Sequence, residues 1–233
     1  MTRYAFFDVD NTIFNGYTAS DLFQYLVRKK KAPPHIEKKY KESVRKYKDG
    51  SMNYATLAQK SLNLCAQSVA GKTKEEVRGD IHELLRDKEF LFFDWVNPVL
   101  HHMRSNEFSI ILVSAGPDIL INELASRLEV GTVFSTELFI RDGIYTDTAP
   151  KLLNDIRKVT AIRSTIDPSD TSFSVGFGDS AGDIPILEVM DHAFVFENDH
   201  HPDMMVLTKE KGWTLFKNAG TVIETIDRLI SSL

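Results

Sequence analysis

Tyr4-Ala5-Phe6-Phe7-Asp8-Val9-Asp10-Asn11-Thr12 is an apolar run that ends in two carboxylates and a hydroxyl. A buried strand of this kind delivers its last side chains to the carboxyl edge of a sheet, where open α/β folds bind ligands. Asp8 and Asp10 are one alternation apart, so both can flank one site while Val9 points away. Two carboxylates there repel each other unless a cation lies between them, which makes the pair half of a magnesium site. In that setting Asp8 is a nucleophile that takes a phosphoryl group. Asp10 is the acid/base that protonates the leaving group and later deprotonates water. A strand followed by an Asx turn accounts for the same residues without chemistry. The choice rests on the rest of the chain.

A length of 233 residues suits one large domain or a domain carrying an insertion. Hydrophobic content of 42% and charged content of 26% are ordinary for a soluble globular protein. The net charge of −5 gives no overall bias toward nucleic acid, yet Arg28 to Lys48 carries ten Lys or Arg against two Glu. The one cysteine, Cys65, excludes an internal disulfide, fits a reducing compartment and sits in an apolar helical pattern. No signal peptide and no membrane helix are expected, and the chain reads as cytoplasmic, a monomer or homodimer.

After Thr12 the apolar period changes. Leu22, Phe23, Leu26 and Val27 predict a helix with Thr18 or Ser20 as N-cap. Helices follow over 36–48 and 54–70, and Thr73 with Glu76 fits a capping box for another through Val77, Ile81, Leu84 and Leu85. Residues 17–95 therefore read as a helical cap inserted into an α/β core of residues 1–16 and 96–233. In that core strands are expected at 108–114, 132–135, 172–177, 192–196 and 214–216, with an Asp142-Gly143 hairpin and a helix opening at Lys151. The fold class is α/β, a doubly wound, mostly parallel sheet with an all-helical cap.

Three later strand ends complete the first. Ser114-Ala115-Gly116 before a helix is a ready phosphate cradle, or a plain cap. Lys151 at a helix start is a misplaced cation unless it faces an anion, whereas Lys158 reads as solvated. Gly178-Asp179-Ser180-Ala181-Gly182-Asp183 sets two carboxylates one turn apart: Asp179 as a metal ligand, and Asp183 holding a metal-bound water or the lysine. Two N-caps would be the plain alternative.

These four pieces, in this order, resemble the haloacid dehalogenase superfamily of phosphohydrolases, most of all its phosphoserine-phosphatase-like branch with a type 1 helical cap. The stretch Asn198-Asp199-His200-His201-Pro202 through Lys211-Gly212-Trp213 fits that branch. The resemblance implies an aspartyl-phosphate on Asp8 and Mg²⁺ held by Asp8, the Asp10 backbone carbonyl and Asp179. It implies phosphate binding by Thr12, Ser114, Ala115 and Lys151. It also places Tyr17 and Gln59 where phosphoserine phosphatases carry a Glu and an Arg for the substrate's amine and carboxylate. A Tyr/Gln pair lacks the two charges a zwitterion needs, so the expected substrate is a small phosphorylated metabolite other than phosphoserine. Phe14, Tyr17 and Met52 would form an apolar lid suited to a phosphorylated alcohol, a choline-like head group or an aromatic ester.

Three other readings remain open: phosphotransfer to an acceptor other than water, a nucleic-acid-associated phosphatase using the basic stretch, and a non-catalytic scaffold. Charge runs are usually solvated faces, which weighs against nucleic acid. His101 and His102 read as packing or surface residues, while His200 and His201 stay open.

Overall fold

Strand β1 (Thr2–Phe7) is followed by four helices before the next strand: α1 (Thr18–Arg28), α2 (His35–Lys48), α3 (Tyr54–Val69) and α4 (Lys74–Asp87). Then come α5 (Val96–Ser105), β2 (Phe108–Pro117), α6 (Asp118–Arg127), β3 (Thr132–Thr136) and a hairpin of β4 (Ile140–Arg141) and β5 (Ile144–Tyr145). The remaining elements are α7 (Asp155–Thr165), β6 (Ser172–Gly178), a 3₁₀ turn (Ala181–Asp183), α8 (Ile184–Leu187), β7 (His192–Phe196), α9 (Pro202–Lys211), β8 (Thr214–Phe216) and α10 (Ala219–Ser231). The computed structural model describes residues 1–88, 90–153, 155–166, 172–197 and 201–233.

The sheet runs β3-β2-β1-β6-β7-β8 with every neighbouring pair parallel. Parallel strands need crossovers, and the helices in those crossovers cover both faces. Alternation along β1 divides the core accordingly. Phe6 packs with Ile111, Val113, Ile162 and Ile186 on one face. Ala5 and Phe7 join the larger cluster on the other, with Val99, Phe177 and Phe194. There Phe7, Phe177 and Phe194 stand in register on adjacent strands, their rings stacked nearly parallel with centroids 4.2 and 4.7 Å apart. From β1 the chain runs to β2 and then β3 on one side, and it crosses afterwards to β6 on the other. The switch point, where such sheets open a crevice, is therefore at the ends of β1, β2 and β6.

Helices α1–α4 form the cap. Ile36, Leu62, Cys65 and Val77 are buried with α1's Leu22, Phe23 and Leu26, so the cap packs as a bundle around the amphipathic α1. The Thr73–Glu76 capping box forms as expected. Two differences from the sequence reading bear on the site. Helix α1 has Tyr17 at its N-cap, which makes no side-chain capping bond to the helix, and its first N–H goes to Asp10. Helix α7 starts at Asp155 rather than Lys151. Just before it, the backbone of Pro150 and Leu152 is bonded to the Gln59 amide, and Leu153 N–H to the Thr136 hydroxyl. Among the described residues, no helix is long and apolar enough to cross a membrane.

Candidate active site

Asp8 is the first residue beyond β1, and its N–H is bonded to the Phe177 carbonyl at 3.0 Å, which extends the sheet by one rung. The chain then folds into a single turn in which Val9 O accepts from Thr12, Ile13 and Phe14 N–H groups. Asn11 sits there at φ 58°, a conformation that asparagine tolerates better than most residues. The turn brings Asp10 back over the site. Its carboxylate accepts from Thr18 N at 2.8 Å and Thr18 Oγ1 at 3.1 Å, so the acid is fixed by the first residue of the cap helix. Burial pushes its pKa up to about 7, more than the Thr18 bonds hold it down.

Beside Asp8 stands a second pair of acids. Asp179 follows β6 and accepts from Thr12 Oγ1 at 3.1 Å. Asp183 folds back so that its Oδ2 accepts from Ser180 N (3.1 Å) and Ser180 Oγ (2.9 Å). A side chain on Gly178 would place its Cβ 2.6 Å from the Asp183 Cβ, so this fold-back needs glycine. The two carboxylates were read as one turn apart on a helix. Instead Ser180 is the cap, and Asp183 is the third residue of a 3₁₀ turn, which aims it inward.

The cation is Lys158, not Lys151. Lys158 Nζ lies 3.2 Å from Asp8 Oδ1 and 3.1 Å from Asp183 Oδ1, and the side chain is only 5% exposed. Lys151 is exposed, and no bond joins it to the acids. The reason is the late start of α7, which shifts the inward face to Lys158 and, one turn on, the buried Ile162. That i, i+4 pairing was the available signal. Burial opposes the Lys158 charge, but Asp183 and Asp8 outweigh it and hold the ammonium above its usual range. Asp183 is correspondingly held low against the pull of burial. Asp8 is pushed well above the carboxylate range, by burial first and then by Asp183, and Lys158 offsets only part of this.

Asp8, Asp179 and Asp183 each bring one oxygen to within 4.8 Å of the others, all buried. Among the described residues this is the only group of three such side chains so placed. Three acids against one ammonium leave a negative excess at hard oxygen donors, which fits a divalent cation such as Mg²⁺. Across the cavity lies Ser114, whose Oγ accepts from Gly116 N at 3.0 Å. Ala115 and Gly116 line the same cavity, and any Cβ on Gly116 would strike the Thr18 hydroxyl.

Other expected positions move. Thr12 is fully buried and bonded to Asp8 and Asp179, so it braces the acids from behind rather than facing a phosphate. Tyr17 lines the cavity. Phe14 is buried in the core, and neither it nor Met52 is among the lining residues. Gln59 spends its amide on Pro150 O (2.9 Å) and Leu152 N (3.0 Å), clasping cap to core. His201 does reach the site, with Nε2 3.9 Å from Asp179 Oδ2, whereas His200 lies outside the described residues. His102 bonds Asp227 of α10 at 2.9 Å, a packing role, and His101 is exposed.

Residues 5–188 match the model of the haloacid dehalogenase-like hydrolase family. The chain belongs to that family. A phosphoserine phosphatase of Methanocaldococcus jannaschii is 20% identical over 185 residues, 78% of this chain and 79% of its own length. Among solved structures, a Bordetella pertussis Tohama I protein of unknown function superposes with a TM-score of 0.78 at 19% identity, covering 93% of this chain and 99% of its own. A substrate-bound phosphoserine phosphatase gives 0.65 at 18% identity, covering 97% and 98%. Asp8, Asp10, Ser114, Lys158, Asp179 and Asp183 all fall within the span that matches this hydrolase family.

Proposed function

We propose that the chain hydrolyses a small phosphate monoester, other than phosphoserine, through an aspartyl-phosphate on Asp8. The observation that carries this reading is the buried set of Asp8, Asp179 and Asp183 around Lys158, with Asp10 lining the same cavity. Mg²⁺ is the proposed cofactor, held by Asp8, Asp179 and the Asp10 backbone carbonyl, and when bound it would neutralise charge on the phosphoryl oxygens.

An Asp8 carboxylate oxygen attacks phosphorus, and the bond to the ester oxygen breaks. The departing alkoxide takes the proton from the Asp10 carboxyl, whose raised pKa keeps that proton available near neutrality. Asp10, now a carboxylate, deprotonates a water that attacks the same phosphorus. The bond to Asp8 breaks, inorganic phosphate leaves and both acids are restored. Lys158, the Ser114 hydroxyl and backbone N–H groups near Ala115 and Gly116 would hold the equatorial oxygens. The cap, residues 17–95, would exclude water from the core, residues 1–16 and 96–233, during the first transfer. We place the protein in the cytoplasm, consistent with a single buried cysteine.

The basic stretch favours no nucleic-acid role. Lys29, Lys31, Lys41 and Lys46 are all paired with cap carboxylates. Hydrolysis of p-nitrophenyl phosphate with Mg²⁺ and with EDTA, for wild type and Asp8→Asn, tests the proposal. Metal-dependent turnover lost in Asp8→Asn supports it, and absence of turnover under every metal condition refutes it.

A further inference from the structure

The carboxylates form the floor of a cavity of about 470 Å³, within the range that encloses drug-sized ligands. Among the described residues, all the acids lining it are at that floor: Asp8, Asp10 and Asp183. Its cap wall is built from Tyr17, Tyr40, Tyr47 and Tyr54, with aliphatic side chains such as Val44 and Leu57 between them. The rings are braced. Phe23 meets Tyr40 edge-on at 5.0 Å, Tyr47 meets Tyr54 at 6.1 Å, and Tyr54 meets His201 at 5.6 Å. Among the described residues, Lys48 is the one charged side chain that the cap brings to the lining.

This wall selects by exclusion as well as by contact. A zwitterion needs an acid and a base facing it, and among the described residues the cap side of the lining holds no acid. Tyrosine faces attract a quaternary ammonium, but Lys48 opposes a cation and, among the described residues, no cap carboxylate in the lining balances one. A flat, uncharged body suits rigid rings with offset and edge-on faces. An alcohol the size of serine would leave most of the volume unfilled.

Building on the phosphomonoesterase reading, we infer that this chamber takes the alcohol portion of the substrate, a neutral, mainly apolar group of arylalkyl size. Tyr47 and Tyr54 are its specificity-determining residues.

The test compares phenethyl phosphate, phosphoserine and phosphocholine with the full chain and Mg²⁺. All three release primary alcohols, so leaving-group chemistry is nearly matched. Phenethyl phosphate should exceed the other two in kcat/KM by about thirtyfold, the effect of burying one phenyl ring. Tyr47→Ala and Tyr54→Ala should each raise its KM by about tenfold, with Phe at either position restoring most of the loss. Phosphoserine or phosphocholine turned over as well as phenethyl phosphate would overturn the inference, as would folded alanine variants with unchanged KM. Phenylpropyl phosphonate and propyl phosphonate, titrated calorimetrically, judge the chamber without turnover. Binding at least about tenfold tighter for the phenyl compound supports it, and equal affinity overturns it. If no ester, p-nitrophenyl phosphate included, is hydrolysed, the phosphatase proposal fails, and the titration still decides what the chamber binds.

Discussion

Replacing Lys158 by Met removes the ammonium and keeps the stem's bulk, leaving Asp8 and Asp183 facing each other without the charge between them. Both bonds are short, 3.2 and 3.1 Å, and the side chains of all three residues are at most 8% exposed. Removing one partner of a buried ion pair costs about 3–5 kcal/mol, because the remaining charge is stranded in low dielectric. Urea unfolding in EDTA should show a loss of that order at neutral pH. The deficit should shrink as pH falls, because Asp8, already pushed above the carboxylate range, takes up a proton and the repulsion disappears. Added Mg²⁺ should recover part of the stability by replacing the missing positive charge. Turnover of p-nitrophenyl phosphate at saturating Mg²⁺ should fall by about 10²–10³, the usual cost of one preorganised donor to a transition state. Lys151→Met, at an exposed position, should change stability by less than about 0.5 kcal/mol and leave turnover alone. Equal damage from the two substitutions, or a harmless Lys158→Met, would refute the assignment of the cation.

Asp10→Asn should slow release of alkyl leaving groups by about 10²–10⁴ but spare p-nitrophenol far more, since a good leaving group needs no proton; a Brønsted series over leaving groups measures this. Asp80 is bonded to Lys31 at 2.6 Å and Lys72 at 2.7 Å, and these bonds outweigh burial and hold its pKa below the ordinary value. Its contribution to stability is therefore present above the unfolded carboxylate pKa and lost as pH falls through the lowered one. Asp80→Asn should flatten that part of an acid-denaturation profile. Gln59→Glu keeps the acceptor for Leu152 N but removes the donor to Pro150 O, at about 1–3 kcal/mol, and should speed proteolytic nicking near residue 150. Thr73→Ala breaks the α4 capping box and should cost about 1 kcal/mol in thermal or urea unfolding.

The sheet was legible because its central strands are buried on both faces and therefore read as continuous apolar runs, and Asp8 and Asp179 each directly follow one. Asp8 and Asp179 are positioned by strand ends, whose location a hydrophobic run fixes to within a residue, whereas β2 continues past the expected end at Ser114 to Pro117. Lys158 is positioned by a helix whose start is set by tertiary bonds. Gln59, 91 residues from Pro150 in sequence, holds the preceding backbone outside the helix, and no local pattern announces that. Thr12 fits the expected motif, yet its role follows from Asp179 reaching its hydroxyl across 167 residues. The cap helices were legible from their period. Their inward residues were not, because Tyr40 and Tyr47 on α2 share a cavity with Tyr54 on α3 only after the bundle has packed. Gln59 is placed by aligning the short segment Gly50-Ser51-Met52-Asn53-Tyr54 with the family's cap, which says nothing of which way the helix that follows is rotated.

The most direct test of the account is acid-quench mass spectrometry of the N-terminal peptide during turnover of p-nitrophenyl phosphate with Mg²⁺. The account predicts a species heavier by one phosphoryl group, carried on Asp8, which is labile to hydroxylamine and absent in EDTA and in Asp8→Asn. Sustained turnover with an unmodified Asp8 peptide at every quench time would contradict it.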